Sequence, residues 1–374
     1  MPVTVLYPRF DHPAVEERFA SWQTQMLLRA SGAELLFHDQ LDDVETEYVL
    51  VVTDPLLLPS RNLPQRLASL IVDADATVPV TNEAADERQF AGERPPYITL
   101  RELQTVFEKF EQSPARTERI TWRNADPGAF CCRTAWLRTV KGPLQHAIAN
   151  RNVVVSHNDY VHRWSSMRGQ ARIDLLDRIP VTATSLLEFG CGEAPLGAAI
   201  KARQKCRVVG VELDPRAVAI ARKRIDAIFQ GDVREIVSLV HERFDWIVGG
   251  DIVEHLDEPW SFLSELRRIS KPGGHLLLSL PNLANVSVVN DLLRGRFDYV
   301  YMGLTCAGHV RFFTRRSIED MLHIAGWDVE SIESQAVILT PAAEELLAKL
   351  DASGAEYSRD DLLSPGYYVT AVNR

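Results

Sequence analysis

The sequence predicts an α/β protein of two domains, and three observations lead there. The chain has 374 residues, and domains usually run about 100–200 residues each. Apolar, strand-like runs alternate with amphipathic helical stretches, the pattern of helices layered on a largely parallel sheet. Apolar residues make up 46% and charged residues 25%, an ordinary globular balance with enough apolar material for two cores.

Charge and punctuation exclude several classes. The formal net charge is −10, with 41 Lys+Arg against 51 Asp+Glu, so the chain has no global attraction for polyphosphate and nucleic acid is not expected as a partner. No basic-then-apolar leader and no apolar run near 18 residues is present, so neither export nor a membrane span is expected, and the expected location is the cytoplasm. The cysteines at 131, 132, 191, 206 and 306 form no C-x-x-C pair and lie at no zinc-ligand spacing with histidines, so reduced thiols and no metal site are expected. There are no internal repeats and no low-complexity tracts.

The first half, residues 1–150, reads in order as follows. Val3–Tyr7 is a strand and Ala14–Ala30 an amphipathic helix. Tyr48–Val52 is a strand ending at Thr53-Asp54-Pro55. Leu63–Ile71 has a helical pattern and Thr77–Thr81 is a short strand. Ala129–Cys132 feeds a short helix that Gly142 and Pro143 stop. Residues 151–180 read as a connector helix, because Asn158–Ile179 has apolar residues at helical spacing up to Pro180.

Residues 181–374 form a cleaner series. Strands fall at Ser185–Phe189, Arg207–Glu212, Trp246–Val248, His275–Ser279, Trp327–Ile332 and Tyr367–Val372. Helices fall at Pro195–Gln204, Pro215–Ile225, Pro259–Ser270 and Arg316–Ala325, and Pro341–Leu363 is an insertion before the last strand.

Between the first of these strands and its helix lies Glu188-Phe189-Gly190-Cys191-Gly192-Glu193-Ala194-Pro195. Glycines at a strand end let the backbone turn tightly and approach a ligand, and Pro195 suits the first helical position. Alone, a Gly-x-Gly turn is weak evidence. Glu212 strengthens it, since an acid at the end of the next strand can accept both ribose hydroxyl protons. Gly231-Asp232-Val233 falls where a third strand would end and places a carboxylate beside an adenine amino group. The stretch Gly249-Gly250-Asp251-Ile252-Val253-Glu254-His255 opens a fourth strand into a polar turn. All these groups lie at C-terminal strand ends, where open α/β sheets bind ligands.

On these residues the segment 186–332, about 40% of the chain, resembles a class I S-adenosylmethionine-dependent methyltransferase. The matching motifs are the Glu188-x-Gly190-x-Gly192 turn, Glu212, Gly231-Asp232, Asp251-x-x-Glu254-His255-Leu256 and Lys271-Pro272-Gly273-Gly274. The Glu-His-Leu and the late His309–Thr314 stretch are similar to the ubiquinone-biosynthesis-type and sugar O-methyltransferase subgroup. The resemblance implies a Rossmann-like seven-stranded sheet with an antiparallel last strand and S-adenosylmethionine as cofactor. It implies Glu188 near the methionine ammonium, with Gly190, Gly192, Glu212, Leu213, Asp232, Val233 and Gly250 around the rest of the donor. The family often has a third glycine where this chain has Ala194. A nicotinamide site shares the first turn and Glu212, but Pro195 would stand at the sixth position of its G-x-G-x-x-G.

Methyl transfer is an in-line displacement that needs an aligned acceptor and excluded water. A hydroxyl acceptor also needs its proton removed. His255, after the fourth strand, is the first candidate for base; the alternative is that it caps the turn. His309 is second, on a segment expected to cover the acceptor, with a structural role as its alternative. Asp251 touches cofactor or acceptor, or satisfies loop amides. Leu292, Leu293, Phe297, Tyr299, Val300 and Tyr301 read as an acceptor lid or as ordinary packing. Tyr160, His162, Trp164 and Arg168 either close over the cofactor or pack the connector down.

Residues 1–150 resemble the nucleotide-binding half of a GT-A glycosyltransferase, with the strand at Tyr48–Val52 leading to Asp54. Leu56 replaces the second acid of the family's Asp-x-Asp, which implies a degenerate domain; docking or dimerisation is the alternative. The sequence thus suggests transfer of methyl to a sugar or glycan intermediate, with a quinone-type phenol or a non-catalytic cofactor-binding scaffold as alternatives. A small-molecule or glycan acceptor is the expected partner, and a homo-oligomer is compatible with it.

Overall fold

The computed structural model describes the chain apart from residues 11–14, 56, 61, 82–88, 90, 92–99, 123–126, 164–170, 301–302, 336–338 and 340. It divides into two compact units, residues 1–165 with 299–301, and residues 166–298 with 302–374.

In the first unit the strands are β1 (Val3–Tyr7), β2 (Glu34–Phe37), β3 (Tyr48–Val52), β4 (Leu57–Pro59), β5 (Ala76–Thr81), β6 (Thr117–Trp122), β7 (Ala129–Arg133) and β8 (Arg151–Arg163). They form one sheet in the order β2-β1-β3-β7-β5-β8-β4, with β6 also paired to β8. The strands β1 and β3 are buried along their whole length. Val49 and Val51 pack into one core layer, and Leu50 and Val52 into the other. A strand buried on both faces reads as a continuous apolar run, which is why Val3–Tyr7 and Tyr48–Val52 are visible in the sequence.

Two expectations for this half are corrected. The sheet is mixed rather than largely parallel: β1 pairs β2 and β3 in parallel, but β7 runs antiparallel to both β3 and β5. Residues 151–163 are strand β8, not the start of a connector helix. Its pairing with β5 skips from Ser156 opposite Pro79 to Tyr160 opposite Val80. Such a bulge breaks the two-residue alternation that marks a strand. Tyr160 is buried and stacks on Phe110 at 4.7 Å, inside this unit's core. Trp164 and Arg168 lie outside the described residues, as does the side chain of His162.

The second unit has strands β9 (Ser185–Phe189), β10 (Arg207–Glu212), β11 (Ala227–Gln230), β12 (Phe244–Gly250), β13 (Ser270–Pro281), β14 (Asp328–Ser334) and β15 (Gly366–Val372). The order is β11-β10-β9-β12-β13-β15-β14. The first five strands are parallel, and β15 runs antiparallel to both β13 and β14. This is the seven-stranded sheet with an antiparallel last strand that the resemblance implies. Leu187, Ile247 and Leu276 fill one face and Leu186, Val248 and Leu277 the other, so helices cover both. From β9 the chain winds outward through β10 and β11, then returns to the other side at β12. That reversal leaves a crevice at the C-terminal ends of β9 and β12, where such sheets take ligands.

The insertion after β14 contains helices Pro341–Ser353 and Arg359–Leu363. Ala343 and Leu346 of the first pack with Val286 of the helix Val286–Leu292. Among the described residues no helix is long and apolar enough to cross a membrane.

Candidate active site

The glycine turn after β9 is held by backbone geometry that side chains resist. Gly190 and Gly192 have φ of +68° and +56°, a left-handed conformation that glycine adopts at little cost. Ala194 takes the same conformation at φ +55° and is fully buried. The helix Pro195–Arg203 then starts with proline at its first position.

Glu212, at the end of β10, organises this turn. Its Oε2 accepts the Gly192 N–H at 2.8 Å and its Oε1 accepts the Asp214 N–H at 2.8 Å. Each carboxylate oxygen keeps a lone pair for a further donor. Leu213 follows with 46% of its surface exposed, an apolar side chain held in solvent at the strand end.

Asp232 caps the helix Val233–Leu239 by accepting the Arg234 N–H at 2.9 Å. The Arg234 guanidinium grips both its oxygens, at 2.9 and 2.5 Å. These bonds hold the Asp232 carboxyl below the usual range despite partial burial. Val233, beside it, is buried.

Glu188 differs from both acids. It is buried, and its Oε2 has no hydrogen-bond partner. Burial pushes its carboxyl up to about 8, opposed by the Gly197 amide and aided by the charge of Glu212. A buried carboxyl with one oxygen unpartnered beside the glycine turn fits a ligand that brings its own cation, and the ammonium of S-adenosylmethionine is one. The exposed Leu213 fits an adenine face, and the free lone pairs of Glu212 fit ribose hydroxyls.

At the end of β12, Gly250 and Asp251 lie against Arg172. A Cβ on Gly250 would stand 3.2 Å from the Arg172 Nη1. Asp251 is itself left-handed, φ +52°, a backbone state seen more readily in Asp than in most residues. Its Oδ2 accepts from Arg172 Nη1 at 2.6 Å and its Oδ1 from Ser279 at 2.9 Å. Arg172 also donates to Asp174 at 2.7–3.0 Å, and Tyr368 donates to the same carboxylate at 2.8 Å. Arg172 is the site residue that sequence reasoning missed. It sits in an Arg-Ile-Asp stretch before β9, and only an acid–base pattern two residues apart marked it.

The fold brings His255, His309 and Glu254 together. Their donor atoms all lie within 4.8 Å of one another, close enough to share one water, one ion or one acceptor hydroxyl. No ligand spacing predicted this set, because His309 arrives from a different segment. The two imidazole rings meet edge to face at 4.9 Å. The Nδ1 of His309 lies 3.2 Å from the Leu304 carbonyl, and its Nε2 is 3.8 Å from Glu254 Oε1. With Nδ1 carrying the proton, Nε2 presents a lone pair. Burial, with the neighbouring His255, pushes His309 down to about 4. The Glu254 carbonyl accepts the N–H groups of Val310 and Arg311 at 2.9 and 3.1 Å, fixing this segment to the turn after β12. His309 is therefore buried beside His255 rather than presented on an open lid.

The expected lid is only partly collected here. Phe297 packs edge to face on Phe312 at 5.5 Å, while Leu292, Leu293 and Tyr299 are exposed. Tyr301 lies outside the described residues.

A doubly wound α/β sheet with a glycine turn, an acid ending the next strand and a buried carboxyl at its switch point is the kind of site where such folds take nucleotide-like ligands. Comparison with known proteins narrows that class. Residues 160–332 match the family model of a methyltransferase domain. A ubiquinone biosynthesis O-methyltransferase of Cereibacter sphaeroides is 23% identical over 46% of this chain and 70% of its own length. A probable S-adenosylmethionine-dependent methyltransferase of Mycolicibacterium smegmatis is 32% identical over 39% of this chain and 52% of its own length. A solved SAM-dependent methyltransferase from Archaeoglobus fulgidus, 18% identical, covers 54% of this chain and 91% of that one with a TM-score of 0.40. The protein is an S-adenosylmethionine-dependent methyltransferase.

Proposed function

We propose that the protein transfers methyl from S-adenosylmethionine to a hydroxyl oxygen of a small-molecule acceptor, a phenol of the quinone type. The observation that carries the hydroxyl is the pair of imidazoles at the end of β12, His309 kept neutral by burial and His255 in ring contact with it. A hydroxyl loses its proton as the carbon–oxygen bond forms, whereas an amine that arrives unprotonated needs no base.

The bound donor supplies an electrophilic methyl on its sulfonium. In this reading Glu188 meets the ammonium, Glu212 the ribose, and Leu213, Asp232 and Val233 the adenine. Gly190, Gly192 and Gly250 let the backbone come close. His255 takes the acceptor proton. His309 holds the His255 ring in place, and Asp251, anchored by Arg172 and Ser279, shapes the floor beside them.

The ubiquinone-biosynthesis relatives support the phenol, at low identity. None of the relatives named above supports the sugar or glycan acceptor that the sequence suggests. For residues 1–150 the reading is a degenerate GT-A-like unit without chemistry of its own. Its support is that β3 leads to Asp54 with Leu56 in the place of a second acid, and one carboxylate makes a poor metal site. The test is an acceptor screen with methyl-labelled donor over phenols, amines, glycans and nucleotide sugars. Label on phenols is expected; label confined to amines or to sugars overturns the reading.

A further inference from the structure

We propose that Glu188 carries a proton in the ligand-free protein and releases it when an ammonium-bearing ligand docks, so that donor binding is coupled to proton exchange. The inference rests on the donor assignment above and deepens it.

The geometry around Glu188 is unusual for an acid. The residue is 8% exposed, at the penultimate position of β9. Its Oε2 has no hydrogen-bond partner, and a Cβ on Gly197 would stand 3.5 Å away from that atom. The charged and titratable groups that act on it are Glu212 from β10, Arg172 from the stretch before β9, and the Cys191 thiol from the glycine turn. Glu212 opposes a second negative charge. Arg172 would favour one, but its guanidinium is engaged by Asp174, Asp251 and Ser279. The thiol is pushed well above its ordinary range by burial and by the two acids, and stays neutral. No cation touches Glu188 among the described residues, and an ionised carboxylate buried without one costs more than the neutral acid. Burial accordingly prevails and pushes the group up to about 8.

The sign of the coupling follows from counting protons. The amine of S-adenosylhomocysteine is that of a free amino acid, beside its own carboxylate, and so titrates above the range of about 7.7–8.0 of a peptide α-amino group. Bound as ammonium against carboxylate, ligand and Glu188 hold one proton between them. Well below about pH 8 the separate partners hold two, so binding sends one to the buffer. Above it Glu188 is already ionised and only the ligand ammonium brings a proton, so the release disappears.

The test is titration calorimetry of the full-length protein with S-adenosylhomocysteine, repeated in buffers of different ionisation enthalpy. We expect release of close to one proton per site at about pH 6.5, and a release that falls away as pH rises through about 8, where the Glu188 carboxyl ionises without ligand. The probe 5′-methylthioadenosine, which lacks the amino-acid arm, should exchange none at any of these values. Glu188→Gln should bind S-adenosylhomocysteine more weakly, by tenfold or more, and release no proton at about pH 6.5. Tight wild-type binding at that pH with no buffer dependence overturns the proposal, as does equal proton release with 5′-methylthioadenosine. The latter comparison needs no variant, so it decides the matter even if Glu188→Gln fails to fold. Failure of both probes to bind would instead overturn the donor assignment, a result distinct from binding without proton exchange.

Discussion

Glu212 Oε2 accepts the Gly192 N–H at 2.8 Å while its Oε1 accepts the Asp214 N–H, so one carboxylate ties the glycine turn to the end of β10. Hydrogen bonds to a charged group contribute about 1.5–3 kcal/mol each. Glu212→Ala should therefore weaken S-adenosylmethionine binding by about 10–100-fold while the sheet stays folded. Calorimetry on a variant with native circular dichroism checks this, and unchanged affinity would refute the assignment.

His309 gives a second prediction, on stability. Burial lowers its folded value to about 4, against about 6.5 for the unfolded chain. A histidine lowered in this way binds fewer protons folded than unfolded between those values. Its contribution is fully present above about pH 6.5 and is lost as pH falls toward about 4. The loss is on the order of 3 kcal/mol across that window. His309→Asn should flatten the acid limb of the stability curve over that window, measured by denaturant unfolding at several pH values. An unchanged acid limb would show that another group drives it.

The third prediction concerns division of the chain. Strand β8 pairs with β4, β5 and β6 in the first unit. A fragment starting at Arg151 would carry that strand without its sheet and expose an apolar edge. A fragment starting near residue 171, just before Arg172, should be the better behaved and should still bind donor. If the longer fragment is the monomeric, donor-binding one, β8 belongs functionally to the second unit.

Much of this was legible because it is local. The strand, glycine turn and helix around Gly190 form one continuous stretch, and Glu212 ends the next strand, so sequence alone places them. The antiparallel last strand came through the resemblance rather than through periodicity. Residues 151–163 were misread because β8 is buried on both faces and bulged at 157–159, which leaves no alternation to detect. His255 and His309 were each legible as candidate bases, but their meeting with Glu254 was not: the backbone bonds from Val310 and Arg311 to Glu254 draw them together, which no spacing reports. Arg172 reaches Asp251 and Ser279 through tertiary contacts, and only its bond to Asp174 is local.

The most direct test of the account is the rate of methyl transfer to a phenolic acceptor by His255→Ala, with donor affinity measured on the same protein. Loss of a general base typically costs about 10²–10⁴ in rate. A fall in kcat of that size is expected, with nearly unchanged donor affinity, because Glu188 and Glu212 lie elsewhere. A His255→Ala enzyme that keeps near-full kcat would contradict it.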